Sequence, residues 1–98
     1  MEKVNPSIVQ EETCCMVCYT NQNLERHHIF GGGLRKKSEE YGLTVWLCHN
    51  HHNENVKGNP GVHHSRELDL WLKKLGQQAF EREFPEKDFL REFGRSYR

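Results

Sequence analysis

The chain has 98 residues, of which 35% are hydrophobic, and its formal net charge is zero. A domain of this length buries little apolar surface, so its 4 cysteines and 7 histidines suggest that a metal ion adds crosslinks. No segment approaches the roughly 18 consecutive apolar residues of a membrane span, and residues 1–12 lack the apolar core of a signal peptide, which predicts a cytoplasmic protein with no membrane partner.

The predicted elements begin with a polar, acidic stretch at residues 1–13, which we expect to form a flexible N-terminal arm. A single domain is expected to follow at residues 14–98. Its first feature is the tight turn Cys15-Met16-Val17-Cys18. Residues 24–30, LERHHIF, then predict a strand that ends at a run of three glycines.

The middle of the chain predicts the second half of a hairpin. Residues 34–42, LRKKSEEYG, suit a loop or a helical turn. Residues 43–48, LTVWLC, favour a strand because threonine, valine and tryptophan suit a pleated surface, and this strand should pair with the first. HNHHNEN follows at residues 49–55 and can begin a short helix, which Gly58-Asn59-Pro60-Gly61 must end.

Two helices are expected in residues 65–98. Ser65 is a candidate N-cap, and apolar residues recur at three- and four-residue steps from there to Phe84. The inward stripe of this long helix should consist of Leu68, Trp71, Leu72, Leu75 and Ala79. Pro85 interrupts the pattern, and a second, short helix should follow. The inward side chains of that helix should be Phe89, Leu90 and Phe93.

Two tight turns supply the four Cys and His ligands that a structural Zn²⁺ site needs. The predicted zinc ligands are Cys15, Cys18, Cys48 and His51. In a reducing compartment, cysteines clustered near histidines favour a metal over disulfides. Cys14 is an alternative to Cys15, since Cys-x-x-x-Cys is also a common spacing. A further alternative is that the cysteines only pack as small apolar side chains.

A second set of histidines indicates a candidate catalytic metal site. His27 and His28 lie in the first predicted strand, and His52 directly follows the second zinc turn. Adjacent strand residues point to opposite faces, so His27 and His28 should have different roles. One can bind a divalent cation while the other deprotonates a water for attack on a phosphodiester. The alternative is a single zinc site with spare imidazoles and no catalysis.

These segments resemble the HNH, or ββα-metal, nuclease family, through ERHHIFGG, LTVWLC and LCHNHH with CMVC ahead of them. The resemblance implies an α+β fold with a zinc-stapled ββα-metal core at residues 14–64 and C-terminal helices at 65–98. It implies His28 as the general base of a DNA endonuclease. His27 and His52 would bind a catalytic ion such as Mg²⁺, Mn²⁺ or Ni²⁺. The family's Asn that holds the catalytic His has no counterpart near Gly42 to Thr44.

The chain is also similar to small phage-borne HNH proteins, which share HHIFGG, SEEYGL, LCxxHH, a following Val-His and a tail like FGRSYR. This likeness covers roughly residues 14–98 and implies phage DNA processing in a bacterial host. It suggests His63 as a third ligand of the catalytic ion, where many HNH sites use the position of Val56. His64 is a substitute or a helix-start residue, and His49 is expected to be exposed.

The charge is unevenly distributed, which bears on the expected DNA partner. Residues 1–25 carry one basic and four acidic side chains, whereas residues 26–66, which hold the histidines, carry six basic and three acidic ones. The predicted phosphate contacts are Arg35, Lys36 and Lys37, which follow the triple glycine. A run of three charges can also be a solvated loop. With no room for a separate specificity domain, sequence selectivity would come from protein partners.

Two other functions compete with the nuclease. A non-catalytic zinc module could bind nucleic acid or a protein through the same fold. A thiol redox protein using Cys15 and Cys18 is disfavoured, because no thioredoxin-like βαβ pattern surrounds the pair.

Overall fold

A two-stranded antiparallel sheet underlies both predicted sites. The computed structural model describes residues 6–56 and 58–97. In it, β1 (Leu24–His28) pairs with β2 (Thr44–Cys48) in a register that sets Leu24 opposite Cys48 and His28 opposite Thr44. The predicted hairpin is therefore confirmed.

The described residues also contain α-helices and a second, smaller sheet, which gives the small α+β fold that the sequence predicts. The helices are α1 (Arg35–Glu40), α2 (His49–Asn53), α3 (Arg66–Glu83) and α4 (Phe89–Phe93). The second sheet pairs β3 (Asn55–Val56) with β4 (Asn59–Pro60), and 3-10 turns cover Gly32–Leu34 and Val62–His64. None of these helices combines the length and apolar character needed to cross a membrane.

The ends of the helices follow from local chemistry. Ser65 caps α3 as predicted, since its Oγ accepts a hydrogen bond from the backbone N–H of Leu68 at 3.1 Å. Asp88 caps α4 in the same way, and Gly94 ends that helix in the left-handed region with φ of 77°. Both predicted C-terminal helices are confirmed.

The segment after α2 differs from the expectation. The helix ends at Asn53 because Glu54 is already extended, well before the glycines that were expected to break it. The following residues instead pair as β3 and β4, around a turn in which Gly58 adopts a φ of 84°. Lys57, one of the basic residues in the charge count, lies outside the described residues, as do residues 1–5.

The core lies between the hairpin and the C-terminal helices. Its largest fully buried side chains are Ile29, Phe30, Leu43, Val45, Leu47, Leu72, Phe80 and Phe89. At Gly76 the backbone of α3 comes so close to the hairpin that a Cβ there would lie 3.2 Å from the ring of Phe30 and 3.3 Å from Ile29. This contact places the middle of α3 beside the two residues that follow β1.

Two predicted core positions are wrong. Trp71 is 42% exposed and Leu90 is 54% exposed. The buried stripe of α3 runs through Leu72, Gly76 and Phe80, so Trp71 lies about 100° around the helix from its centre. Leu90 lies the same angle from Phe89, which α4 buries.

The described part of the predicted N-terminal arm contacts β2. Ser7 Oγ donates to the carbonyl of Thr44 at 2.5 Å, and the Gln10 side-chain oxygen accepts from the N–H of Trp46 at 2.8 Å. Ile8 and Val9 pack against the core. These contacts give hydrogen-bond partners to the edge of β2 that faces away from β1.

Candidate functional site

Four Cys and His side chains converge where the first tight turn meets the end of β2. They are Cys15, Cys18, Cys48 and His51, and their ligand atoms all lie within 4.8 Å of one another. The Cys18 and Cys48 sulfurs are 3.8 Å apart, and Cys15 Sγ is 3.6 Å from His51 Nδ1. A zinc tetrahedron with Zn–S of about 2.3 Å has edges of about 3.8 Å between sulfurs and about 3.6 Å from sulfur to nitrogen. The group is therefore compatible with zinc.

The backbone around this group favours a thiolate at Cys15. Burial opposes ionisation of the thiol, but hydrogen bonding from the backbone at Cys18, Cys48 and Val17 outweighs it and lowers the pKa of Cys15 to about 6. Since the thiolate is the form that binds metal, Cys15 suits a ligand position. Cys14 lies outside the group, with its sulfur 3.8 Å from the Gln10 amide nitrogen, so the group contains Cys15 rather than Cys14.

Three further histidines form a second group. His27 comes from β1, His52 from α2 and His63 from the 3-10 turn before α3, and one nitrogen of each lies within 4.8 Å of the others. Their ring centroids are separated by 4.8 to 5.5 Å. Three imidazoles bound to one ion at about 2.1 Å would have centroids roughly 5 Å apart. The three rings that the sequence singled out thus have the spacing of a shared metal ligand set.

His27 has a buried ring nitrogen that a bound metal ion would satisfy. It is 6% exposed, and its Nε2 is the one buried side-chain nitrogen or oxygen in residues 6–56 and 58–97 that has no hydrogen-bond partner. Burial, and then the neighbouring His52, lower the pKa of His27 to about 3. A buried imidazole that stays neutral keeps a free lone pair, which a metal ion would satisfy.

Glu25 holds His52 in one orientation. Its Oε1 is 2.8 Å from His52 Nδ1 and accepts from the Asn53 amide at 2.7 Å, while its Oε2 is 3.1 Å from His49 Nδ1. The hydrogen bonds to His52 and His49 lower the pKa of Glu25, so the carboxylate stays charged. Because Nδ1 of His52 is engaged, its Nε2 is the nitrogen left for an ion. Glu25 was not predicted from the sequence, although its two-residue spacing from His27 puts both on one face of β1.

His28 faces the opposite side of β1 and takes part in a different network. Its Nε2 lies 3.2 Å from Glu39 Oε1 on α1. Arg26 lies two residues earlier on the same face of β1. Its two terminal nitrogens donate to both carboxylate oxygens of Glu39, with Nη2 at 2.7 Å from Oε2. This confirms that the two adjacent histidines have different surroundings. Neither Arg26 nor Glu39 was singled out from the sequence.

A cavity of about 560 Å³ joins these features. The histidines that line it are His27, His28, His52 and His63, and its charged lining includes Arg35, Asp69 and Lys73. Lys36 lines an adjoining cavity that shares His28 and Arg35. Lys37 instead donates to the backbone carbonyl of Glu92 at 2.7 Å and so ties α1 to α4. Lys73, which pairs with Asp69 at 2.9 Å, is a cavity cation that the helical pattern alone did not distinguish.

The remaining histidines lie outside both groups. His49 is exposed, as predicted, and lies between the carboxylates of Glu25 and Glu54, which raise its pKa. His64 is also exposed, and its Nε2 is 3.0 Å from the carbonyl of Asn53. No family model matches the chain, and no curated protein or solved structure is significantly similar to it.

Proposed function

We propose that this chain is a metal-dependent endonuclease of the HNH type that hydrolyses DNA phosphodiester bonds. The observation that carries the proposal is the arrangement of His28 beside three clustered imidazoles in one cavity with basic side chains at its edge. This is the chemistry that phosphodiester hydrolysis needs: a site for a divalent ion, a base for water and cations for the substrate.

The same proposal gives the fold its ββα-metal interpretation. The β1–β2 hairpin and α2 would form the core, and Zn²⁺ bound by Cys15, Cys18, Cys48 and His51 would staple them. His51 and His52 are adjacent on α2, so one short helix would carry a ligand for each metal. The structural ion would thereby fix the position of the catalytic one.

Each of the four cavity histidines has a role in the proposed mechanism. His27, His52 and His63 would hold an ion such as Mg²⁺, Mn²⁺ or Ni²⁺, which would stabilise the charge that develops on the phosphate. His28 takes a proton from a water whose oxygen bonds to phosphorus as a phosphorus–oxygen ester bond breaks. The products are a phosphomonoester and a hydroxyl, so the strand is cut by hydrolysis.

The basic side chains would hold the substrate. Arg35 lies at the edge of the cavity, Lys36 extends the positive surface into the adjoining one, and Lys73 faces them from α3. Contacts of this kind neutralise phosphates without reading sequence. Target selection is therefore assigned to protein partners, and the resemblance to phage-borne proteins assigns the activity to phage DNA processing in the host cytoplasm.

Supercoiled plasmid incubated with Mg²⁺, Mn²⁺ or Ni²⁺ tests the proposal. The protein should relax or linearise the plasmid, and His28→Ala should lower the rate by roughly 10²–10⁴-fold while keeping its zinc. His64→Ala is the matched control, because His64 is an exposed histidine outside both groups, and it should cut normally. A wild-type protein that only shifts the plasmid on a gel would instead be the rival, a non-catalytic zinc module.

A further inference from the structure

His28 has one ring nitrogen engaged on the side of α1. Its Nε2 is 3.2 Å from Glu39 Oε1, and the His28 side chain is only 14% exposed. The ring borders both cavities, whereas Glu39 borders only the one that lies on the α1 side. The imidazole thus stands between a carboxylate and the cavity that holds the other histidines.

The carboxylate itself is fixed. Arg26 binds both of its oxygens, in the fork geometry that gives arginine its strongest carboxylate pairs, and the Arg26 guanidinium also lies 3.4 Å from Thr44 Oγ1 on β2. Hydrogen bonding to Arg26 lowers the pKa of Glu39 to about 2, so the carboxylate remains an acceptor. Three elements, β1, β2 and α1, therefore combine to aim one charged oxygen at His28.

We propose that Glu39, anchored by Arg26, is the positioning residue of His28: it accepts the Nε2 hydrogen and leaves the Nδ1 lone pair as the base. This inference rests on the proposed function and specifies it. Nδ1 takes the proton of the attacking water, Nε2 keeps its own, and the resulting imidazolium lies beside a fixed negative charge. The proton leaves His28 for the departing ester oxygen or for water, which restores the neutral ring.

This role accounts for a gap in the sequence pattern. The region from Gly42 to Thr44 offers no Asn to hold the catalytic histidine, and Thr44, which lies opposite His28, contacts Arg26 instead. The side chain that orients His28 therefore comes from α1, as Glu39, rather than from the start of β2. The sequence places Glu39 eleven residues after His28, and only the packing of α1 on β1 brings them together.

Kinetics of plasmid nicking in Glu39 variants test the role. Glu39→Ala should lower kcat by about 10–100-fold with KM changed by less than about threefold, because the base loses its orientation but the phosphate contacts remain. Glu39→Gln keeps an acceptor of the same shape without the charge and should lose less. The neighbouring, exposed Glu40 offers a matched control, and Glu40→Gln should behave as wild type. Zinc content and melting temperature establish that each variant is folded.

A double variant distinguishes a role of Glu39 that acts through His28 from a contribution of Glu39 that is independent of His28. If Glu39 acts through His28, His28→Ala combined with Glu39→Ala should be no slower than His28→Ala alone. A further tenfold loss in the double variant, or a kcat of Glu39→Ala within twofold of wild type, would overturn the proposal.

Nitrogen NMR of the wild-type protein gives a readout that needs neither a variant nor cleavage. At a pH where the imidazole is neutral, the ¹⁵N shifts of His28 should report the Nε2-protonated tautomer. The Nδ1-protonated tautomer would refute the role of Glu39 even in an active nuclease. An inactive wild-type protein with the expected tautomer would instead refute the proposed function and leave the Glu39–His28 arrangement supported.

Discussion

Replacing Cys18 with serine tests the zinc site most directly, because Cys18 is the exposed member of the group. Cys15 and Cys48 are 0% and 7% exposed, so serine at either position would disturb packing as well as any metal. Cys18→Ser removes a sulfur from the surface and leaves no buried cavity. A large loss of stability in this variant would therefore report the loss of the ion.

The expected size of the effect follows from the chain segment that the group closes. Cys18 and Cys48 are 30 residues apart in sequence. In the chain-entropy model, a crosslink over a loop of this length stabilises the fold by about 3–4 kcal/mol, and zinc in small domains contributes on the order of 10 kcal/mol at neutral pH. A domain of about 100 residues has a total stability of roughly 5–15 kcal/mol. Because the contribution of zinc is comparable to this total stability, losing the ion should unfold most of the protein at room temperature.

The assay pairs zinc content, measured by atomic absorption, with unfolding followed by circular dichroism. Cys14→Ser is the matched control, since Cys14 precedes the group and its sulfur contacts Gln10 rather than the ligands. The control should keep one zinc and the wild-type melting temperature. If Cys18→Ser retains zinc and full stability, or if Cys14→Ser loses both, the ligand assignment is wrong.

Three further predictions concern the second group of histidines. His63→Ala should weaken divalent-metal binding by about tenfold or more in calorimetry, whereas His64→Ala, altering an exposed neighbour outside the group, should leave it unchanged; equal effects would remove His63 from the ligand set. Glu25→Gln should lower metal affinity by about 10–100-fold because His52 loses its carboxylate partner, and an unchanged affinity would mean that Glu25 only links β1 to α2. Because the pKa of His27 is lowered, the free energy of unfolding should fall as pH drops from about 6.5 towards about 3. In this range the imidazole binds a proton in the unfolded chain but not in the folded protein. Without added metal, His27→Asn should reduce that slope by up to about 1.4 kcal/mol per pH unit, and an unchanged slope would contradict the buried neutral imidazole.

The sequence predicts those parts of the structure that depend on residues close together in the chain. The tight turn at Cys15 to Cys18 and the cap at Ser65 depend on spacings of two or three residues, and both appear as expected. The alternation of side chains along β1 likewise places His27 and His28 on opposite faces, whatever the rest of the fold.

What the sequence leaves open is decided by packing between elements. Trp71 satisfies the helical period of α3 as well as Leu72 does, and only the close approach at Gly76 determines which side of the helix is buried. Glu25 and Glu39 are ordinary acidic residues until packing gives each a histidine partner: α2 brings His52 to Glu25, and α1 brings Glu39 to His28. The alternation of β1 places Glu25 on the face of His27 and opposite to His28, but it does not predict which helix packs on either face.

The zinc group and the second histidine group each take one ligand from α2, so the loss of zinc should also affect metal binding at the second group. His51 and His52 are consecutive residues of a five-residue helix, α2, which is too short to be stable without tertiary contacts. Removing zinc with a strong chelator should therefore release α2 and abolish binding at the second group as well. A weak chelator that strips only the second group should leave the zinc and the secondary structure intact. Calorimetric titration of Mn²⁺ into the zinc-free protein should then give no binding, and restoring zinc should recover it. Undiminished Mn²⁺ binding without zinc would mean that contacts with the rest of the fold hold α2 and His52 in place without the structural ion.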